Sequence, residues 1–512
     1  MAQAPDATAL AVFIVLFVSV AFLGFFAARW QRSGEAQISE WGLGGRRFGT
    51  LITWFLLGGD LYTAYTFIAV PTALFGTGAN GFFAVPYTIF VYPIMFAVFP
   101  RLWSVARANG YVTAADFVRG RFGSGALALA IAITGIMATM PYIALQLVGM
   151  EVVLGGLGIH GEWPLVIAFA TVAAFTYTSG LRAPAIIAVA KDLFVYITVI
   201  AAIIIIPGEL GGYAKIFAAV PKAKLLLAPP TMNSLGQGFG YATLALGSAL
   251  ALFLYPHAVT GLFGSASRHV VRRNAVILPA YSLALGLIAL LGTMALASGV
   301  QSMPAYAHGF KMFGANYAVP ALFLQMFPPW FVGFAFAAIV IGALVPAAIM
   351  SIASANLFTR NIYREYLHPS CSPANELQVA KIAALVVLVG ALAFIIWLPG
   401  AQKFAITLQL LGGIWIIQTL PAVLIGLYTR WFHPIALLAG WAVGIVSGTA
   451  MVAAKNFASP IYALNLFGMT APCYDAISSL ALNLAVTVVL SFVFNAMLGA
   501  TRADATAVTD YV

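Results

Sequence analysis

Residues 54–67 read Trp54-Phe55-Leu56-Leu57-Gly58-Gly59-Asp60-Leu61-Tyr62-Thr63-Ala64-Tyr65-Thr66-Phe67, and Pro71 follows one turn later. They lie inside an apolar run of the length, about 20 residues, that crosses a bilayer as a helix. A glycine pair, an acid, two tyrosines and two threonines occupy its middle. A helix facing lipid would not carry them, because backbone groups freed inside a membrane are tolerated only within protein or beside a water-filled cavity. The stretch predicts a discontinuous helix, non-helical between about Asp60 and Thr66. The competing reading is a kinked, continuous helix whose hydroxyls find partners on neighbours.

A second interruption lies downstream. Gly247-Ser248 leads to Tyr255-Pro256-His257 and Thr260-Gly261, again inside an apolar run. The two interrupted runs are the second and seventh of the chain, five apart. A repeat of five spans must invert its topology, so spans two to six and seven to eleven would be related by a pseudo-two-fold axis in the membrane plane. Matching interruptions in two inverted halves mark the central site of a secondary transporter.

The composition agrees. Of 512 residues, 62% are apolar and 7% charged, with a mean hydropathy of +1.00. Soluble domains carry roughly 25% charged residues, so a soluble enzyme, a nucleic-acid binder and a disordered chain are excluded. The apolar runs are too long for barrel strands, which alternate over about ten residues. They place spans near 8–28, 50–76, 80–100, 126–154, 163–180, 185–207, 238–264, 275–299, 331–357, 379–398, 404–428, 435–454 and 475–499. The chain is then one all-α transmembrane domain over 1–512, with repeats at about 50–207 and 238–428 and two further spans. The first run is too long for the apolar region of a signal peptide, and no basic segment precedes it.

The net charge of +10 follows from basic loops. On this span map every arginine falls on one side: Arg29, Arg32, Arg46, Arg47, Arg101, Arg107, Arg119, Arg121, Arg182, Arg268, Arg272, Arg273, Arg360, Arg364, Arg430 and Arg502, joined by Lys381. The other side holds Lys215, Lys222, Lys224, Lys311, Lys403 and Lys455, and Lys191 lies near a span end. Basic residues are retained in the cytoplasm, which puts the N-terminus outside and the C-terminus inside a bacterial inner membrane. The long outer loops, 208–237 and 300–330, are expected to cap the outer face with short helices. Cys371 and Cys473 form no CxxC pair, so neither a disulfide framework nor a metal site is indicated.

Three segments carry a resemblance. They are Thr176-Tyr177-Thr178-Ser179-Gly180-Leu181-Arg182-Ala183 with Lys191-Asp192 after it, Tyr255-Pro256-His257, and Ser354-Ala355-Asn356-Leu357-Phe358-Thr359-Arg360-Asn361-Ile362-Tyr363-Arg364-Glu365-Tyr366. In this order and spacing the whole chain resembles the sodium:solute symporter family, and within it bacterial monocarboxylate permeases. The resemblance implies a leucine-transporter-like five-plus-five fold, alternating access, and uptake of lactate, pyruvate or propionate. Another small solute, such as proline, alanine or acetate, is the alternative. Sodium-using members carry adjacent hydroxyls in span nine, and the aligned positions here are Val345 and Pro346. A small hard cation needs about five or six oxygens to replace its water, so the departure shifts weight from sodium to protons. Ser351 and Ser354 lie further along, and Thr63, Thr66 and Ser351 form the fallback sodium site.

Few ionisable groups lie inside the spans, and each is costly enough to need a reason. Asp60 can bind a cation or take up a proton, or it caps the second half-helix. The resemblance places Asp192 on the inner ion route, against a surface pair with Lys191. His257 can carry a proton, or it bonds a freed carbonyl. With no Arg or Lys read at the centre of a span, the positive ends of half-helices would receive a carboxylate. Tyr62, Thr63, Tyr65, Thr66, Tyr255, Thr260 and Gln409 would supply donors. Gln409, Gly412, Gly413, Trp415 and Gln418 cluster in span eleven, either at the substrate site or as glycine-mediated packing. No enzyme motif accompanies these residues: the sequence holds no Walker loop, HExxH or supported GxSxG. The expected partners are a small organic anion, a coupling ion and lipid, with no cofactor, no nucleic acid and no need for more than a monomer. A channel or sensor on the same fold is the remaining reading, and exchange of labelled for unlabelled substrate separates it from a carrier.

Overall fold

The computed structural model describes residues 6–27, 37–63, 65–159, 161, 163–397, 405–466, 468–498 and 503–512. Arg29, Arg32, Lys403 and Arg502 of the charge map lie outside the described residues. The helices, in chain order, are α1 (Ala7–Phe26), α2 (Gln37–Leu43), α3 (Thr50–Leu61), α4 (Val70–Thr77), α5 (Ala84–Ala108), α6 (Ala114–Phe122), α7 (Gly125–Gly156) and α8 (Trp163–Ser179). Next come α9 (Arg182–Glu209), α10 (Tyr213–Ala219), α11 (Lys222–Leu225), α12 (Gly236–Leu252), α13 (Pro256–Phe263), α14 (Arg268–Ile277), α15 (Pro279–Ser298), α16 (Ala307–Phe313) and α17 (Ala318–Met326). The chain continues with α18 (Pro329–Phe358), α19 (Pro373–Trp397), α20 (Ala405–Ile416), α21 (Leu420–Val423), α22 (Pro434–Ala453) and α23 (Asp475–Leu498). Among the described residues ten helical stretches are long and apolar enough to cross a membrane, and the bent pair α12/α13 adds an eleventh. The protein is thus a multi-pass, nearly all-helical membrane protein.

α18 forms the axis of the bundle. It is apolar all round, which fits a helix with no lipid-facing side. It is buried along nearly its whole length, with α1, α7, α9 and α19 against it. α1, α22 and α23 sit at the periphery and expose apolar side chains such as Phe22, Val446 and Phe492. The two long connections do fold into short helices: α10 and α11 in the first, α16 and α17 in the second. α17 packs on α4 and α15. One element was not expected from the sequence. An antiparallel hairpin of β1 (Ile461–Leu466) and β2 (Met469–Tyr474) joins α22 to α23.

Both interruptions are present. α3 stops at Leu61, Tyr62 leaves helical geometry (φ −98°, ψ 83°), and a wide π-type turn over Tyr65–Ala69 leads into α4. The break is narrower than the predicted 60–66: Asp60 is still helical and Thr66 already belongs to the next turn. The reason is local hydrogen bonding. The Tyr65 amide donates to Thr63 Oγ1 at 3.0 Å, and Thr66 Oγ1 donates to Leu61 O at 2.9 Å. The two threonines thereby replace part of the lost ladder and shorten the gap. In the seventh span α12 ends at Leu252 and α13 begins at Pro256, bent by 47°. Proline suits that first helical position, where its missing N–H has no partner to lose.

Candidate functional site

The glycine pair Gly58-Gly59 serves two different neighbours. A Cβ at Gly58 would lie 2.2 Å from the Tyr281 ring, and one at Gly59 would lie 3.2 Å from Lys191 Nζ. The bare backbone of α3 therefore admits Tyr281 from α15 and Lys191 from α9. Tyr281 Oη donates to Asp192 Oδ2 at 2.5 Å, and its ring packs on Tyr62 with centroids 4.6 Å apart. Lys191 Nζ donates to Gly59 O and Tyr62 O, both at 2.8 Å, and pairs with Asp192 Oδ1 at 2.7 Å. Lys191 and Asp192 are both wholly buried. This corrects the placement of Lys191 near a span end and of the pair at a surface. It also corrects the reading that no basic group lies inside the bundle. α9 starts at Arg182, so Lys191 sits roughly 14 Å along its axis at 1.5 Å per residue.

Asp60 points from α3 toward the other interruption. Its Oδ2 lies 3.6 Å from His257 Nε2 at the start of α13, and both side chains are buried. That separation is beyond a hydrogen bond and short for two buried polar groups. Asp60 Oδ1, His257 Nδ1 and Tyr62 Oη have no hydrogen-bond partner among the described residues. Orphaned buried polar atoms cost about 1–3 kcal/mol each, so a protein keeps them where something else visits. Tyr142 of α7 closes the cluster. Its ring stands edge-on to His257 at 5.3 Å, to Tyr255 at 5.4 Å and to Tyr65 at 6.4 Å.

The eleventh-span cluster divides. Tyr255 Oη donates to the Gln409 carbonyl at 3.0 Å, and Gln409 Oε1 is buried without a partner among the described residues. A Cβ at Gly412 would come within 2.6 Å of Tyr255 Oη, and one at Gly413 within 2.5 Å of Tyr474 Oη. These glycines pack helices and also admit two tyrosine hydroxyls. Trp415 turns away and donates to Thr449 of α22 at 3.0 Å; Gln418 reaches Ser479 of α23 at 2.9 Å. Neither side chain is directed to the two interruptions, because α20 also packs on α22 and α23. Thr260 lines a cavity of about 20 Å³ beside Pro256 and Gly135, room for a water and little more.

The fallback sodium ligands hydrogen-bond within their own segments, which leaves each hydroxyl at least one lone pair. Thr63 and Thr66 close the gap in their own segment, and Ser351 Oγ donates to Ala348 O at 2.8 Å. Ser354 Oγ is buried with no partner among the described residues, and Val345 and Pro346 are buried in α18. The motif segments, by contrast, tie the arginine-rich face together. Gly180 adopts φ 56°, the Leu181 amide donates to Trp41 O at 2.9 Å, and Arg182 pairs with Glu40. Arg360 pairs with Glu376 at 3.0 Å, and Asn361 donates to Asp116 at 2.7 Å. On the same face Asp504 pairs with Arg121 and Arg430, and Asn109 and the Ala507 amide hold the Asp510 carboxyl below the usual carboxylate range.

Sequence reasoning grouped Asp60, His257, Tyr62, Tyr65, Tyr255 and Gln409; the structure joins Asp60 with His257, sets His257, Tyr255 and Tyr65 around Tyr142 and bonds Tyr255 to Gln409, while the Tyr62 ring packs on Tyr281. It missed Tyr142, Tyr281 and Tyr474. Tyr142 follows Pro141 inside α7, and a mid-span proline beside a tyrosine was the available signal. No local signal marks Tyr281.

The comparisons bear on the same architecture. The chain shares its fold with a Na+-coupled sialic acid symporter solved in a substrate-bound outward-open state. The TM-score is 0.74 at 16% identity, over 96% of this chain and 98% of that one. A "Monocarboxylate transport permease protein" of Rhizobium johnstonii is 56% identical over 490 residues, covering 95% of this chain and 97% of the relative. The "Uncharacterized symporter YodF" of Bacillus subtilis is 35% identical over 448 residues, covering 86% and 87%. The sodium:solute symporter family matches residues 41–444. With that match spanning most of its length, the chain belongs to the sodium:solute symporter family.

Proposed function

We propose that this chain is a secondary active transporter that takes up small monocarboxylates such as lactate, pyruvate and propionate by alternating access. The observation that carries the reading is the meeting of the two interruptions at Asp60 and His257, with Asp60 Oδ1 and His257 Nδ1 unpartnered there among the described residues. Substrate would bind beside them, near Tyr65, Thr66, Tyr255 and Gln409. The half-helix starting at Pro256 would turn its positive end to the carboxylate. The polar inventory is modest, which suits a monocarboxylate. A sugar presents many hydroxyls, and those left unpaired in a buried site would be costly. The printed name of the Rhizobium relative supports the same substrate class.

The proposed coupling ion is the proton. Thr63, Thr66 and Ser351 have their hydroxyls bonded to nearby backbone, while Asp60 and His257 are both able to hold a proton. A sodium-coupled symporter of another small solute is the second reading, favoured by the unpartnered Ser354 hydroxyl in α18. The proposed topology has thirteen spans, obtained by reading α3 with α4, and α8, as crossing segments. The repeats run at about 50–207 and 238–428, with the N-terminus periplasmic and the arginine-rich face cytoplasmic.

The test is uptake of labelled lactate into proteoliposomes under separately imposed proton and sodium gradients, with unlabelled competitors. Pyruvate and propionate should compete and glucose and galactose should not. Strong competition by sugars overturns the substrate assignment. Accumulation that follows sodium at constant pH overturns the proton.

A further inference from the structure

The breaking of span two frees two carbonyls whose fate is visible. In an unbroken helix Gly59 O would accept from the amide of residue 63, and Tyr62 O from the amide of residue 66. Here the Thr63 amide turns to Thr66 Oγ1 and the Thr66 amide to Thr63 O. Both abandoned carbonyls are taken by one group, the Lys191 ammonium, at 2.8 Å each. Its third oxygen is Asp192 Oδ1 at 2.7 Å. An ammonium has three donors and no acceptor; two are spent on the carbonyls, and the carboxylate beside them balances its charge. The sequence makes room for it, since Gly59 lacks the Cβ that would press on Nζ, and Tyr281 fixes Asp192 from the far side.

We propose that Lys191 is the resident cation of the interrupted span. Its tethered ammonium sits among the oxygens that would otherwise receive a dissolved monovalent cation, and the break therefore binds no sodium. A carboxylate and two carbonyls around a wholly buried point are a cation's environment whichever cation fills it. A lysine on α9 cannot leave with the substrate, so it stabilises the gap without being carried across. Because it ties α9 to the end of α3 where the gap opens, it positions span two and is not a group that touches substrate. The inference builds on the proton reading above only in requiring that the driving ion bind elsewhere.

The first measurement uses the purified full-length protein without substrate, so there the identity of the monocarboxylate does not enter. Melting temperature is measured at constant pH and ionic strength in sodium chloride and in choline chloride. Lactate counterflow in proteoliposomes is then compared in the same two salts. The wild type should melt at the same temperature and exchange at the same rate in both. Lys191→Ala should melt lower in choline and regain part of the loss in sodium, because the vacated oxygens then admit the free ion. Its exchange should become sodium-dependent. A wild type that sodium stabilises or accelerates overturns the proposal, as does a Lys191→Ala protein that melts and exchanges like wild type in both salts. If Lys191→Ala does not fold, the wild-type salt comparison decides alone. A failed competition panel would sink the substrate class and leave these melting curves untouched.

Discussion

Replacing Gly58 by alanine adds one carbon, and its destination is known. The new Cβ would lie 2.2 Å from Cε2 and Cζ of Tyr281 and 2.6 Å from its Oη. Atoms of this kind need more than 3.4 Å, so the ring or α3 must move by over an ångström. The ring has little freedom, being packed on Trp54 at 4.5 Å, Tyr62 at 4.6 Å and Tyr196 at 5.7 Å and held by Asp192. Overpacking a filled core costs about 1–3 kcal/mol, and displacing Tyr281 from a buried carboxylate costs about 1.5–3 kcal/mol more. Alanine's better helix propensity returns about 1 kcal/mol. The expected net loss is about 1.5–5 kcal/mol. Gly286→Ala, on the helix that carries Tyr281, is the control: nothing lies within 4 Å of its Cβ, and it should be neutral or stabilising by up to about 1 kcal/mol.

A protein this large does not unfold in one step, so the assay is a ranking of melting temperatures at one scan rate, read with lactate exchange. Gly58→Ala should melt below wild type and Gly286→Ala at or above it. Adding Tyr281→Ala removes the obstacle, so the double variant should lose much less than the sum of its parts, a coupling of about 1–3 kcal/mol. Tyr281→Phe keeps the ring and removes only the hydrogen bond, and should give no such relief. Gly58→Ala melting at or above wild type, or no relief from Tyr281→Ala, would refute the close approach of Tyr281 to α3.

Asp60→Asn should abolish accumulation driven by an imposed proton gradient while leaving exchange measurable. Wild type coupled to one proton should gain about tenfold accumulation per pH unit, and a variant that keeps this gain removes Asp60 from the pathway. Thr260→Trp cannot fit beside a cavity of about 20 Å³, and Thr66→Trp cannot keep its bond to Leu61 O. Both should lose uptake while remaining monodisperse, and normal uptake in both would move the substrate away from the interruptions.

The interruptions were legible because Gly, Pro and Asp punctuate a membrane helix in ways that apolar residues do not. The meeting of Asp60 with His257 followed from the five-span offset, a topological argument that needs no side-chain geometry. The Lys191–Asp192 pair was not legible, since depth depends on where α9 starts, and helix boundaries are the least certain feature of a sequence reading. Moving the start from 185 to Arg182 carries Lys191 about one turn further into the span. Tyr281 was hidden for a different reason: its position is set by the absence of a side chain at Gly58, more than 200 residues earlier. Trp415 and Gln418 share a helix with Gln409, yet sequence alone could not say which face of that helix meets the interruptions. The β1/β2 hairpin was passed over because its twelve strand residues lie between two strong apolar helices.

The charges at the centre determine what must cross with the substrate on the proposed reading. Lys191 and Asp192 cancel each other, so the empty site is neutral when Asp60 and His257 hold one proton between them. A monocarboxylate adds one negative charge to a region where an uncompensated charge is costly. Lys191 cannot answer it, since it donates to Gly59 O and Tyr62 O and its charge is already paired with Asp192. Asp60 can, by taking up a proton beside a protonated His257, with Asp60 Oδ1 and His257 Nδ1 both unpartnered among the described residues. One proton then enters with each anion and the loaded carrier is neutral. Uptake should therefore respond to an imposed pH difference and be indifferent to membrane potential. With potassium and valinomycin setting the voltage at equal pH on both sides, an interior-negative potential should produce no accumulation of lactate. Accumulation under that condition would mean that positive charge crosses with the anion in excess of one per molecule, and the one-proton balance at Asp60 and His257 would be wrong.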